Sequence, residues 1–147
     1  KEYLDRCIVL DTKKDFSDIV NKTILGDTLQ SIKYIPNNSI DLIIADPPYN
    51  LDKDFGGNKF KRMSYDEYEE YTEKWLLAVL PLMKENASIY ICCDWQSSGP
   101  IEKVLRKHLT VRNRITWQRE KGRGAQTNWK NGKVKNIDQR SINIAFR

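Results

Sequence analysis

The chain of 147 residues has the length of one ordinary domain, and its 39% hydrophobic and 31% charged residues indicate a packed core rather than general disorder. It has no apolar run long enough to span a bilayer, and residues 1–10 lack the apolar stretch of a secretory signal peptide. Its three cysteines show neither a metal-ligand spacing nor a disulfide framework, so we expect reduced thiols. The chain begins with Lys1 rather than methionine, and we expect it to be a piece of a longer protein.

The charge is unevenly distributed along the chain, although the net charge is only +5. Residues 1–100 hold 12 Lys/Arg and 17 Asp/Glu, a net of −5, whereas residues 101–147 hold 13 and 3, a net of +10. A basic C-terminal third on an acidic body indicates a surface for a polyanion. A solvated basic face without a partner is the alternative.

The first third of the chain predicts short strands and helices. Residues 1–22 show no clean hydrophobic period, so a short helix or irregular structure is expected there. A short strand at 23–25 ends near Asp27, and a short helix follows at 28–35. Residues 39–45 are nearly all apolar, which predicts a strand covered on both faces.

The middle of the chain predicts a loop and then a long helix. Residues 51–63 are polar and contain Gly56-Gly57, which indicates a mobile loop. Ser64 and Glu67 have the spacing of a capping box, and apolar residues at helical spacing extend the helix to about residue 84.

The remaining elements complete an alternating pattern of strands and helices. They are a buried strand at 87–93, a helix at 100–109, a strand at 111–118, a basic loop at 121–135 and a short strand at 142–146. This order predicts an α/β fold with a mainly parallel sheet and helices on both faces. Ligands of such sheets bind beyond the carboxyl ends of the strands.

Asp46-Pro47-Pro48-Tyr49 follows the strand at 39–45, at the edge where ligands are expected. An ordinary Pro-Pro turn is the alternative. Methylation of an exocyclic amine on a base needs hydrogen-bond acceptors, because the nitrogen lone pair is delocalised into the ring. The Asp46 carboxylate and the Pro47 carbonyl could accept its two N–H groups from a backbone that proline makes stiff. Tyr49 offers a flat face on which an extruded base could stack.

The segment Ile44-Ala45-Asp46-Pro47-Pro48-Tyr49-Asn50 resembles motif IV of the S-adenosylmethionine-dependent amino-methyltransferases. Its aspartate form is typical of the adenine-N6 enzymes, whereas the cytosine-N4 enzymes usually carry serine there. The resemblance covers roughly residues 23–131. It implies a Rossmann-like methyltransferase sheet, incomplete in this chain. It also implies methyl transfer from S-adenosylmethionine to the N6 amine of a flipped adenine in DNA, as in type II restriction–modification enzymes.

The glycine-rich cofactor loop of the family, of the FxGxG kind, indicates the subgroup. Only Gly26 precedes Asp46, so that loop cannot lie upstream of the catalytic motif. The chain therefore resembles the permuted beta group, in which the loop follows the catalytic motif and the target-recognition region. The chain stops before such a loop appears, so complete cofactor binding would need residues beyond it.

The resemblance also implies further site residues. Asp27 would accept a hydrogen bond from the adenine amine of the cofactor, with the N-cap of the following helix as the alternative reading. Asp46 is expected to contact the cofactor as well as the target amine. The expected DNA contacts are Asn50, Arg119, Lys121, Arg123 and Lys130, with a solvated charge run as the alternative for the basic ones. No metal site is predicted.

We expect three parts in the chain: an N-terminal segment at 1–22, the catalytic part at 23–131, and an uncertain segment at 132–147. This last segment fits the family poorly, and the two readings of it are a piece of the recognition region and a stretch that follows missing residues. The expected partners are DNA and S-adenosylmethionine, with no membrane, a homodimer as the candidate assembly, and the bacterial cytoplasm as the location. The same chemistry on cytosine N4, RNA adenine or protein glutamine stays open, as does an inactive nucleic-acid-binding fragment. A generic nucleotide-binding domain would need a glycine-rich phosphate loop, and the chain contains none.

Overall fold

The computed structural model describes residues 4–118 and 139–146. The strands are β1 (Cys7–Ile8), β2 (Thr23–Ile24), β3 (Ile40–Ala45), β4 (Lys53–Phe55), β5 (Asn58–Phe60), β6 (Met83–Asp94), β7 (Thr110–Gln118) and β8 (Gln139–Phe146). The helices are α1 (Phe16–Ile19), α2 (Thr28–Ser31), α3 (Tyr65–Val79) and α4 (Ser98–His108), with short 3-10 turns at Leu4–Arg6, Ile32–Tyr34 and Leu80–Leu82. None of the helices in this part of the chain combines the length and the apolar character needed to cross a membrane.

A four-stranded sheet with the order β3-β6-β8-β7 forms the centre of the fold. β3 runs parallel to β6, and β8 runs antiparallel to both of its neighbours, so three of the four strands point the same way. The predicted α/β class with a mainly parallel sheet is therefore confirmed. The sequence left residues 132–147 as an uncertain segment, and β8 places 139–146 of them inside the central sheet. β1 and β2 form a separate parallel pair.

The core lies on the face of the sheet that α3 and α4 cover. From Ala87 to Asp94, every second residue of β6 points into it, and this part of the strand alternates between buried and half-buried positions as a one-sided strand should. The buried cluster comprises, among others, Tyr68 and Leu76 of α3, Ala87, Ile89, Ile91 and Cys93 of β6, and Ile101, Val104 and Leu105 of α4.

The opposite face of β3 is open to solvent in this chain. Leu42 is 51% exposed and Ile44 is 71% exposed. The prediction that this apolar strand is covered on both faces is therefore wrong for β3 among the described residues. A continuous apolar run shows that both faces can be buried, but it does not show that the covering element belongs to the same 147 residues.

The segment 51–63, predicted as a mobile loop, instead forms the antiparallel hairpin of β4 and β5. Gly56 and Gly57 have φ values of +69° and +105°, and a two-residue hairpin turn of this kind needs positive φ at both positions. The Asp54 carboxylate accepts a hydrogen bond of 2.7 Å from the Gly57 N–H and closes the turn. The Gly-Gly pair was thus a hairpin signal that the polarity of the segment concealed.

The predicted start of α3 is confirmed and its predicted end is not. The Ser64 hydroxyl accepts from the Glu67 N–H at 3.3 Å, and the Glu67 carboxylate accepts from the Ser64 N–H at 2.8 Å, so the capping box is complete. Both the backbone and the side chain of Ser64 donate hydrogen bonds that lower the pKa of Glu67, and the bond from the backbone has the larger effect. The helix ends at Val79 rather than near residue 84, because Pro81 has no N–H with which to continue it.

Glu73 of α3 joins the two long helices. Its carboxylate contacts Nε2 of His108 at 2.6 Å and Nζ of Lys107 at 2.9 Å, both at the end of α4. The hydrogen bonds from His108 and Lys107 both lower the pKa of Glu73, and the bond from His108 has the larger effect. A carboxylate with a depressed pKa in the folded state stabilises the fold above its unfolded-state pKa, and this stabilisation is lost as the pH falls through the folded-state value.

We therefore expect Glu73→Gln to lower the free energy of unfolding of the full-length protein near pH 6. The difference from wild type should disappear as the pH falls below the depressed pKa of Glu73, because the wild-type carboxyl group is then also neutral. Urea unfolding at pH 6 and at pH 3 measures both values. Glu70→Gln, which removes an exposed carboxylate from the same helix, is the matched control. A difference between wild type and Glu73→Gln that is equally large at both pH values would contradict this linkage.

Candidate active site

Asp46 stands immediately beyond the carboxyl end of β3, on the rim of the sheet. Ala45 is in register with Ile91 of β6, so the next residues along, Asp46 and Cys92, lie side by side. Burial is the main cause that raises the pKa of the Cys92 thiol, and the charge of Asp46 adds to it. The Asp46 side chain itself is exposed, as a group that meets a substrate should be.

The turn that follows Asp46 is held by hydroxyl groups from two other elements. Tyr68 of α3 donates a hydrogen bond of 2.9 Å to the Pro48 carbonyl. The Asn50 N–H donates to the Ser97 hydroxyl at 3.2 Å. Burial raises the pKa of Tyr68 well above its usual value, so the phenol stays protonated and remains a donor.

The side chain of Asn50 is used inside the protein. It is 6% exposed, its amide nitrogen donates to the Met63 carbonyl at 2.8 Å, and its amide oxygen accepts from the Met63 N–H at 2.7 Å. These two hydrogen bonds join Asn50 to Met63 and so connect the two ends of the segment that contains the β4–β5 hairpin. Both polar ends of the Asn50 amide thus have protein partners, and its predicted contact with DNA stays a prediction.

Asp27 lies at the start of α2, after β2. Its carboxylate accepts a hydrogen bond of 3.0 Å from the Gln30 N–H, so it is the N-cap of that helix. The side chain is exposed. The N-cap alternative is thus seen directly, and a contact of Asp27 with a cofactor stays a prediction.

A family model described as DNA methylase, for N6 and N4 methyltransferases, matches residues 40–142. This match covers well over half of the chain. The chain belongs to this DNA methylase family. The match includes the turn at Asp46 and reaches all four strands of the central sheet.

Two curated relatives of this chain illustrate the likeness in sequence. The type II methyltransferase M.HpaI of Haemophilus parainfluenzae is 33% identical over 105 residues, which are 70% of this chain and 33% of that protein. The DNA adenine methyltransferase YhdJ of Escherichia coli (strain K12) is 37% identical over 101 residues, which are 65% of this chain and 33% of that protein. The chain thus spans about one third of the length of these relatives.

Solved structures show the same fold. The cytosine-N4-specific PvuII DNA methyltransferase aligns with a TM-score of 0.63 and 13% identity, over 84% of this chain and 47% of that one. A putative DNA modification methylase of Thermus thermophilus, TTHA0409, in complex with S-adenosyl-L-methionine, aligns with a TM-score of 0.60 and 14% identity, over 84% of this chain and 51% of that one.

The remaining predicted site residues of the chain lie outside the described residues. They are the basic DNA contacts Arg119, Lys121, Arg123 and Lys130. In residues 4–118 and 139–146, no group of three or more His, Cys, Asp or Glu side chains is arranged to hold a metal ion.

Sequence reasoning missed two residues of the site, Tyr68 and Ser97. Tyr68 occurs in the apolar pattern of α3, which indicates only a core position. Ser97 comes three residues after the strand that ends at Asp94, and no sequence motif includes it. The Asp94 carboxylate accepts from the Ser97 N–H at 2.8 Å, which is the usual reason for an aspartate next to a helix start. Only the folded contacts show that both hydroxyls reach the turn after Asp46.

Proposed function

We propose that the full-length protein transfers a methyl group from S-adenosylmethionine to the exocyclic N6 amine of adenine in DNA. The observation that carries this proposal is the exposed Asp46 carboxylate at the end of β3, in an Asp-Pro-Pro-Tyr turn that buried hydroxyls hold. Membership of the DNA methylase family supports it, as does the likeness to a named DNA adenine methyltransferase.

The turn offers two acceptors for the two N–H groups of the target amine. Asp46 supplies a carboxylate oxygen, and the main chain supplies a carbonyl. Because the Pro48 carbonyl already accepts from Tyr68, the Pro47 carbonyl is the one that we assign to the substrate. Acceptors aimed at both protons would draw the nitrogen towards tetrahedral geometry and free its lone pair for attack. The base must leave the duplex to reach them, and Tyr49 would stack on it.

S-adenosylmethionine, when bound, supplies an electrophilic methyl group on a sulfonium centre. The exposed carboxylates of Asp27 and Asp46 fit its hydrogen-bond donors and its positive charges. We assign these two residues to hold it, together with residues of the full-length protein beyond this chain. Asp46 would then serve both the cofactor and the amine, which places the two reactants against one side chain.

Incubation of the full-length protein with S-adenosylmethionine labelled in its methyl group tests this function. We expect label in duplex DNA and none in RNA or added protein. Label in RNA or protein alone, or in no acceptor, would overturn the proposal in favour of another substrate or of a binding protein without activity.

With DNA as substrate, the protein would act in the bacterial cytoplasm. The homodimer is a proposal of the same kind, which sedimentation of the full-length protein tests.

We expect Tyr49→Ala to reduce kcat/KM more than Tyr49→Phe does. A stacked base needs a flat face, which is worth about 1–3 kcal/mol per base. Methylation of duplex DNA by the two variants measures the difference. Tyr65→Ala, which removes an exposed tyrosine ring at the start of α3, is the control. If Tyr49→Phe were as damaging as Tyr49→Ala, the hydroxyl rather than the ring would be the active feature.

A further inference from the structure

We propose that Tyr68 and Ser97 are a positioning pair that fixes the catalytic turn, residues 46–50, in the arrangement needed for methyl transfer. The inference rests on the proposed function and adds to it two residues outside the Asp-Pro-Pro-Tyr motif. Neither side chain is assigned to touch substrate or cofactor. Their role is exerted through the backbone of the turn.

The pair holds the turn at two points. The Tyr68 hydroxyl donates to the Pro48 carbonyl at 2.9 Å, and the Ser97 hydroxyl accepts from the Asn50 N–H at 3.2 Å. The two bonded residues of the turn are two positions apart in the sequence. A turn that is bonded at two points to side chains of other elements cannot rotate about either point without breaking one of these hydrogen bonds.

Both members of the pair come from rigid parts of the fold. Tyr68 lies on the first turns of α3, where the capping box fixes the start of the helix. Ser97 directly precedes α4, and its N–H is held by the carboxylate of Asp94 at the end of β6. The turn is therefore tied to a helix and to a strand–helix junction of the same core.

The burial of these hydroxyls indicates a purpose other than packing. Tyr68 is 0% exposed and Ser97 is 1% exposed. A buried hydroxyl costs free energy unless it is hydrogen-bonded, and phenylalanine and alanine could fill nearly the same space without that cost. Satisfied polar networks in a low-dielectric interior make one arrangement of their members unique. At this place, the arrangement so fixed is that of Pro48, Tyr49 and Asn50.

The fixed arrangement extends to the reacting groups. Proline has only a narrow range of φ, so Pro47 and Pro48 transmit the position of the bonded carbonyl to the Pro47 carbonyl and to Asp46. A displacement of about 1 Å at reacting groups costs on the order of 10²-fold in rate. Loss of either hydrogen bond to the turn should therefore lower the rate of turnover rather than the affinity for DNA or cofactor.

Kinetics of the full-length protein with Tyr68→Phe, Ser97→Ala and the double variant test the pair. We expect kcat to fall about 10- to 100-fold in each single variant, with dissociation constants for DNA and S-adenosylmethionine within about twofold of wild type. The double variant should be no slower than the slower single variant, because either substitution alone frees the same turn. Tyr71→Phe, which removes a hydroxyl from the half-buried ring stacked 5.7 Å from Tyr68, is the matched control and should keep its kcat.

Hydrogen exchange at the Asn50 amide gives a readout that does not depend on methyl transfer. It should quicken in Tyr68→Phe and Ser97→Ala but not in Tyr71→Phe. Unchanged exchange in the first two variants, a kcat within about twofold of wild type, or losses that add in the double variant would each overturn the positioning pair. A wild-type protein that methylates no DNA, while exchange responds as expected, would instead overturn the proposed function.

Discussion

Asp46→Ala should reduce methyl transfer by the full-length protein to background while the fold is retained. The Asp46 carboxylate is the proposed acceptor for one N–H of the target amine, and loss of a single preorganised group of this kind costs about 10²–10³-fold in kcat. The side chain is exposed at the end of β3, so its removal should change the free energy of unfolding by no more than about 0.5 kcal/mol. Transfer of labelled methyl to duplex DNA measures the first effect, and urea unfolding measures the second.

Asp41→Ala is the matched control for this experiment. Asp41 is an exposed carboxylate at the other end of the same strand, where it pairs with Lys84 at 2.8 Å. A surface ion pair of this kind is worth about 0–1 kcal/mol, so this variant should keep its activity. Near-wild-type turnover in Asp46→Ala, or an equal loss in both variants, would contradict the role given to Asp46.

Neutralising Arg119, Lys121 and Arg123 together should weaken DNA binding across all sequences. These residues lie outside the described part of the chain, in its basic third, and we propose that they contact phosphates. Each phosphate contact that is lost should reduce the slope of log K against log salt concentration by about 0.9 on duplex DNA. Affinity for S-adenosylmethionine should change little, because the residues that we assign to the cofactor, Asp27 and Asp46, follow other strands than the three basic residues do. Titrations of wild type and triple variant over a range of salt concentrations measure the slopes.

Three exposed lysines elsewhere in the chain provide the control for charge alone. They are Lys13, Lys22 and Lys74. Their triple replacement removes the same charge and should leave the salt slope near that of wild type. Parallel lines for wild type and the Arg119/Lys121/Arg123 variant would mean that these side chains do not contact phosphates, and the DNA surface would then lie elsewhere.

Local patterns in the sequence were sufficient for most of the elements. The capping box fixed the start of α3 because its two hydrogen bonds join residues only three apart. The apolar runs before Asp46 and Asp94 placed β3 and β6, and the rule that ligands bind at the carboxyl ends of strands then placed the Asp-Pro-Pro-Tyr turn on the rim.

Three of the features that sequence reasoning missed depend on contacts between distant residues. β8 lies between β6 and β7, although it follows both in the chain, and no periodicity within 139–146 predicts that order. The exposure of Leu42 and Ile44 depends on which elements are present to cover them. The hydrogen bonds from Tyr68 and Ser97 to the turn join residues that are 20 and 47 positions apart in the sequence. The sequence around Tyr68 is that of an ordinary core residue, and the sequence around Ser97 is that of an ordinary turn residue.

The identity of the methylated nucleoside tests most directly whether Asp46-Pro47-Pro48-Tyr49 acts on adenine N6. The full-length protein would be incubated with duplex DNA and S-adenosylmethionine labelled in its methyl group, and the DNA would then be digested to nucleosides and separated. We expect all of the label in N6-methyladenine, and initial rates of labelling that fall about 10²–10³-fold when Asp46→Ala replaces the wild-type protein. Label in N4-methylcytosine, or labelling of N6-methyladenine by the Asp46→Ala variant at near the wild-type rate, would contradict this assignment.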